Sequence, residues 1–309
     1  MRIDHRVTEK GISIRHGRKT FRLVYPDSVW SSYPSGMKKI LVDNLLYLCT
    51  INMPSVCGEK EMHYDTSTPF FYSSFRDMVA GGIPHSVEDY DIATGEALRN
   101  FFNTSYVFSG GDARIPPHAG HHGGGRYRGR DRYHCRGRMA GAAGGSDMGS
   151  AIVPFSCGKD SLLTLAVCDE IGLEPRAVYV NDTVSPSENR IKLRHGRTIS
   201  RRFGFPYHIV RNEIEQLNDF DYWGAEETCV NYTHMMTNFC FITLPFMHRF
   251  GAGHVALGNQ KDMDFGFINK DGYSTLPSFD QSSAWTRQQD MMVRSMTGGK
   301  GRVVSVIEP

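Results

Sequence analysis

The sequence predicts an α/β protein in which a doubly wound parallel sheet over residues 151–309 follows a smaller N-terminal α+β domain over residues 1–108. Three observations lead there. Short apolar runs alternate with helix-period segments through the second half. A loop of small residues follows the first of those runs. An abrupt change of composition over residues 109–150 separates the two halves. Apolar runs spaced by helices are what right-handed βαβ units require.

In the first segment, Gly11–Ile14 and Thr20–Tyr25 have strand character. Met37, Leu41, Leu45 and Leu48 then recur every three or four residues, which predicts a helix ending before Pro54. The run EMHYDTSTPFFYSSF (61–75) offers hydroxyls and aromatic rings that suit a pocket lining and an ordinary core equally. Residues 109–150 hold 12 of the chain's 32 glycines, seven arginines and almost no aliphatic side chain, too little apolar surface to offset ordering entropy. A flexible connector is expected. Its RYRGRDRYHCRGR run (126–138) suits a solvated linker better than an RNA contact. His118, His121, His122 and His134 lack the fixed spacing of a metal site.

The second segment opens with Ala151–Phe155 as a buried strand. SCGKDS follows, then Leu163, Ala166, Val167 and Ile171 at helical spacing, closed by Gly172. Arg176–Val180 is a second strand. Glu188–Phe203 is a helix expected to turn Ile191, Ile199 and Phe203 inward. Tyr207–Val210 is a third strand. A helix over Thr237–Phe250, bent at Pro245, leads to His254–Leu257, and Val303–Ile307 supplies another strand. Ligands of such sheets lie at the carboxyl ends of the strands.

Composition narrows the function classes. The 309 residues are 40% hydrophobic and 22% charged, a globular balance, and 35 basic against 33 acidic residues leave a formal charge of +2. That balance excludes a surface devoted to nucleic acid or anionic membrane, so any anion site is local. The first ten residues lack a signal-peptide core, and no window reaches the roughly 18 apolar residues of a membrane span, so a cytoplasmic protein is expected. Seven cysteines without a CxxC pair read as reduced thiols.

The loop Ser156-Cys157-Gly158-Lys159-Asp160-Ser161 stands where a phosphate loop belongs, between the first strand and its helix. Small residues let backbone N–H groups converge on an anion, and the helix directs its unpaired N–H groups and positive dipole end to the same point. Ser156 and Ser161 add hydroxyl donors, Lys159 a positive charge and Asp160 an oxygen ligand for Mg²⁺. Neither GxxxxGK[ST] nor GxGxxG is present.

The hexapeptide in its strand–loop–helix setting resembles the SGGxDS motif of the PP-loop ATP pyrophosphatases, the adenine nucleotide alpha hydrolase-like superfamily, whose fold is HUP-like. The similarity of element order extends over most of residues 151–309. Cys157 replaces the first glycine, a change tolerated if its φ is negative. The resemblance implies ATP and Mg²⁺ as cofactors and attack by a substrate oxygen on the α-phosphorus of ATP. Pyrophosphate then leaves and the substrate is adenylylated. It makes Lys159 and Asp160 the catalytic pair. It places ATP against Pro154, Phe155, Ser156–Ser161 and Val180, with adenine between the first two strands.

Gly258-Asn259-Gln260-Lys261-Asp262 resembles the Gly-His/Asn-x-x-Asp element that faces the nucleotide in several relatives. This adds Gly258, Asn259 and Gln260 to the ATP site and Asp262 to Asp160 as a metal ligand, although a plain polar loop explains the run too. Asp182 is a substrate ligand or a helix cap. Arg190, Arg194, Arg197 and Arg201 form a basic stripe that reads as a solvated face or as a receiver of an acidic substrate or tRNA backbone. Cys229 and Cys240, outside any CxxC pair, read as buried thiols rather than sulfur carriers.

The expected function is adenylylation of a carboxylate or carbonyl oxygen of a small-molecule substrate selected by the N-terminal domain. Resemblance to cyano-deazaguanine synthases and to UDP-muramoyl-dipeptide epimerases is equally loose. The alternatives are a tRNA-modifying enzyme and a non-catalytic nucleotide-binding module.

Overall fold

The computed structural model describes residues 1–54, 59–110, 114–115, 149–183, 186–224 and 234–306. Strands β1 (Arg2–Thr8), β2 (Gly11–His16) and β3 (Lys19–Val24) form an antiparallel meander. Helices α1 (Asp27–Ser32) and α2 (Ser35–Thr50) follow, then β4 (Glu61–Tyr64), α3 (Tyr72–Ser86), α4 (Thr94–Phe102), β5 (Ser105–Phe108) and β6 (Arg114–Ile115). The run at 61–75 supplies core: Met62, Tyr64, Tyr72 and Phe75 are all buried.

The second segment runs β7 (Ser150–Pro154), α5 (Lys159–Glu170), β8 (Glu174–Asp182), α6 (Pro186–Phe203) and β9 (Tyr207–Asn212). A 3-10 turn at Ile214–Asn218 leads to α7 (Phe220–Trp223) and α8 (Met235–Phe250). Then come β10 (His254–Leu257), the small hairpin β11 (Phe267–Ile268) with β12 (Ser274–Thr275), α9 (Ser283–Met296) and β13 (Arg302–Ser305).

These strands make a mixed, largely parallel α/β sheet in the order β13-β10-β7-β8-β9-β3-β2-β1-β4-β5-β6. It is parallel from β13 to β9 and from β1 to β5. The two halves meet where β3 pairs antiparallel with β9, Leu23 opposite Asn212 and Val24 opposite Arg211. Strand order reverses at β7, whose chain continues to β8 on one side while β10 flanks the other. Ligands of open parallel sheets bind outside the carboxyl ends of the strands at such a reversal.

Alternate residues of the central strands feed two cores. Ile152, Val178, Val210, Val255 and Leu257 join a large core with α2, α8 and α9, to which both halves of the chain contribute. Ala151, Val153, Ala177 and Ala256 face a smaller core with Leu165 and Cys168 of α5. Each fully buried Val, Leu or Ile side chain here contributes about 1.5–3 kcal/mol.

The two helices over the smaller core correct the expected orientation. Leu163, Ala166 and Ile171 of the α5 region are exposed, and the buried face is Ser161, Thr164, Leu165 and Cys168. On α6, Ile199 packs against the smaller core as expected, but Ile191 and Phe203 are exposed, and the buried residues are Asn189 and Gly196. The cause is close approach: a Cβ on Gly196 would stand 2.5 Å from the Tyr207 ring, so only glycine lets the helix lie this near β9.

Candidate functional site at the carboxyl end of the central strands

β7 ends at Pro154, paired with Val178, and β8 continues for four residues more, to Asp182. The loop after β7 therefore sits beside a wall made by its neighbour. Phe155 is 2% exposed and packs edge-on against Phe205 and Tyr207, so its side chain belongs to the smaller core. Ser156, Gly158 and Lys159 are exposed. Gly158 is the N-cap of α5 with no side-chain cap bond, which leaves the first N–H groups of a 12-residue helix uncapped by any side chain. The Ser161 hydroxyl donates to Gly158 O at 3.0 Å, and Thr164 Oγ1 donates to Asp160 O at 2.8 Å, bracing the first turn from inside.

Cys157 corrects the expectation of a negative φ. It lies at φ +62°, the left-handed region where glycine is favoured and where a side chain costs about 1–2 kcal/mol. Its thiol donates to Lys192 O of α6 at 3.3 Å, and its ordinary pKa is raised, chiefly by burial. This residue ties the loop to the neighbouring helix while holding the conformation that a glycine would hold.

The segment after β10 closes over the loop. A Cβ on Gly258 would lie 2.8 Å from Thr164 Oγ1 and 3.1 Å from Asp160 O, so the chain passes against the first turn of α5 only as glycine. Gln260 Nε2 donates to Asp160 Oδ2 at 2.8 Å. Asn259 is fully buried and faces the other way, its Nδ2 donating to Thr286 Oγ1 at 2.9 Å. Asp262 is exposed in a 3-10 turn at Lys261–Asp264. The structure thus brings Gln260 and Gly258 onto the loop, and puts Asn259 into the core instead.

At the end of β8, Asn189 Nδ2 donates to Asp182 O at 2.6 Å while Tyr179 OH donates to Asn189 Oδ1, so Asp182 sits where α6 is pinned to its strand. Val180 packs against the large core. Arg190, Arg194 and Arg197 are exposed on α6, as is Arg201, whose Nε donates to Arg197 O at 3.3 Å.

A polar cluster that the sequence did not point to lies behind this rim. Asn52 Nδ2 donates to His234 Nδ1 at 2.9 Å, and Asn218 Nδ2 donates to Cys49 O at 3.0 Å. The Cys49 thiol donates to Asn238 Oδ1 at 3.5 Å. Burial, then the negative charge of Asp182, push the Glu215 carboxyl up to about 7, against a hydrogen bond from Asn218. Burial lowers His234 to about 4, so its ring is neutral near pH 7. These residues come from the end of α2, the 3-10 turn after β9 and the start of α8, and no local motif announces them.

Among the described residues, no group of three or more His, Cys, Asp or Glu side chains is arranged to hold a metal ion. Magnesium beside a polyphosphate needs only one or two carboxylates, the rest of its shell being phosphate oxygen and water. Asp160 at the helix start fits that sparse requirement. Among the described residues no helix is long and apolar enough to cross a membrane. The RYRGRDRYHCRGR run, the four histidines of the connector and Cys229 lie outside the described residues. Comparison with protein-family models and with curated proteins finds no match.

Proposed function

We propose that the protein is an ATP-dependent enzyme that adenylylates a carboxylate or carbonyl oxygen of a small molecule, releasing pyrophosphate, with a HUP-like, PP-loop domain over residues 151–309. The observation that carries this reading is the uncapped start of α5 after β7, beside the exposed Lys159 and with Asp160 held by Gln260. Anions bind helix N-termini because unpaired N–H groups and the dipole act together. Phosphate oxygens would meet the N–H groups of residues 159–161, and the Lys159 ammonium would offset the charge that builds on departing pyrophosphate.

Asp160 and Asp262 are the residues that would hold magnesium, which supplies charge neutralisation at the phosphates when bound. Gln260 orients the Asp160 carboxylate, and Gly258 lets the second loop approach without displacing the first turn of α5. The substrate oxygen would approach along the β8 rim, past Asp182.

One observation favours a second reading, tRNA modification: Arg190, Arg194, Arg197 and Arg201 stand exposed along α6. Tight tRNA binding with a steep inverse salt dependence, lost when the four are neutralised, would select it.

The direct binding test uses α,β-methylene-ATP with Mg²⁺. Saturable binding that weakens about tenfold or more in Lys159→Ala, as expected for loss of a charge-assisted contact, supports the nucleotide reading. Equal binding by both proteins overturns it.

A further inference from the structure

We propose that Asn52, Asn218 and His234, with Glu215 beside them, form a binding site for a primary ammonium group carried by the small-molecule substrate. The three side chains are 0%, 2% and 1% exposed, yet each keeps a buried polar atom without a partner among the described residues: Asn52 Oδ1, Asn218 Oδ1 and His234 Nε2. Leaving one such atom unpaired costs about 1–3 kcal/mol. Three in one neighbourhood are a structural loss that a polar ligand removes.

Their hydrogen bonds place them in that neighbourhood. Asn218 is anchored on Cys49 O, and Asn52, three residues further along the chain, is anchored on His234. Because Asn52 Nδ2 is the donor in that pair, His234 Nδ1 accepts and the neutral ring carries its proton on Nε2. The unfilled set is therefore two amide oxygens and one N–H.

Glu215 supplies the charge. Burial and the negative field of Asp182 destabilise its carboxylate, and a hydrogen bond from Asn218 opposes them. A site with two open amide oxygens, a carboxyl group and a second carboxylate in its field is complementary to a cation with several N–H donors. A primary ammonium offers three, one each for Asn52 Oδ1, Asn218 Oδ1 and Glu215. His234 Nε2–H then faces an oxygen of the same ligand. A quaternary ammonium has the charge without the donors and leaves the amide oxygens unsatisfied.

Glu215 and Asn218 belong to the turn that follows β9, at the carboxyl edge from which β8 carries Asp182. That the ammonium belongs to the molecule being activated rests on the adenylylation reading; binding of the cation itself does not.

The test titrates the full-length protein with methylammonium chloride and, separately, tetramethylammonium chloride at constant ionic strength, following side-chain amide resonances of Asn52 and Asn218 by NMR. Expected is a saturable shift with methylammonium and affinity about tenfold or more lower for tetramethylammonium, the fold-change for losing one or more charge-assisted hydrogen bonds. Glu215→Gln, which preserves shape, should weaken methylammonium about tenfold. Equal responses to the two cations, no response to either, or wild-type methylammonium affinity in Glu215→Gln would overturn the proposal. If Glu215→Gln does not fold, the comparison of the two cations on the wild-type protein decides. Binding of α,β-methylene-ATP is measured on the same samples. Nucleotide binding without ammonium binding refutes this site alone, and ammonium binding without nucleotide binding refutes the adenylylation reading alone.

Discussion

Gln260 Nε2 lies 2.8 Å from Asp160 Oδ2, so a residue from the loop after β10 fixes the carboxylate at the start of α5, one hundred positions earlier in the chain. That bond occupies one carboxylate oxygen and sets the direction of the other.

Gln260→Leu removes the donor and lets the Asp160 carboxylate rotate. Pyrophosphate release from ATP should fall about tenfold, the effect of one hydrogen bond to a charged group, while the thermal midpoint changes little. Unaltered pyrophosphate release under saturating Mg²⁺ would show that the orientation of Asp160 is immaterial.

Cys157 occupies φ +62°. Both Cys157→Gly and Cys157→Ala lose the thiol contact with Lys192 O, so their difference isolates the backbone. The glycine variant should be more stable than the alanine variant by about 1 kcal/mol, read from urea midpoints. Equal midpoints would mean that the loop relaxes freely to negative φ.

Gly258→Ala sets a methyl 2.8 Å from Thr164 Oγ1 and 3.1 Å from the Asp160 carbonyl. The backbone of α5 cannot yield as a flexible side chain can, so the second loop must lift. Affinity for α,β-methylene-ATP should fall more than global stability. Gly196→Ala, which meets the Tyr207 ring at 2.5 Å where α6 lies against β9, should destabilise the fold by about 1–3 kcal/mol.

Asp280 is 2% exposed, and burial pushes its carboxyl up to about 7 although Met236 N–H and Ser278 hydroxyl donate to it. Its folded pKa is above its unfolded value near 4, so the native state binds the extra proton. Its stabilising contribution is complete below the unfolded pKa and is lost as pH rises through about 7. Wild-type stability relative to Asp280→Asn should therefore decrease between pH 5 and pH 8, as measured by urea unfolding. A difference constant across that window would contradict the assignment.

Particular elements explain what was legible in the sequence. The runs at Ala151–Phe155, Arg176–Val180 and His254–Leu257 stand out because central parallel strands feed cores on both faces and so contain few polar residues. Strand β1 was missed because RIDHRVT puts Ile3 in the core and charged residues at almost every other position. Apolar periodicity turns the wrong side of α5 inward, and of the three apolar residues it turns inward on α6 only Ile199 reaches the core. Their buried faces use Ser161, Thr164, Asn189 and Gly196, small or hydrogen-bonded residues that permit close packing, so apolar periodicity pointed to the exposed side.

At the candidate site, contiguous residues were legible and convergent ones were not. The run at 156–161 announces itself by small-residue content at a strand end, and Gly258 and Gln260 are assigned to the same rim by resemblance to the Gly-His/Asn-x-x-Asp element. Asn259 was assigned there too, but its side chain turns to Thr286. Asn52, Glu215, Asn218 and His234 reach one another from three segments separated by whole secondary-structure elements, and single-sequence spacing carries no signal of such a meeting.

The most direct test of the central claim is product analysis after incubating the protein with Mg²⁺-ATP and a cytosolic metabolite extract. AMP and pyrophosphate in equal amounts, formed by the wild type and abolished in a folded Asp160→Ala variant, are the predicted result. ADP and phosphate as products, or pyrophosphate formation undiminished in Asp160→Ala, would contradict it.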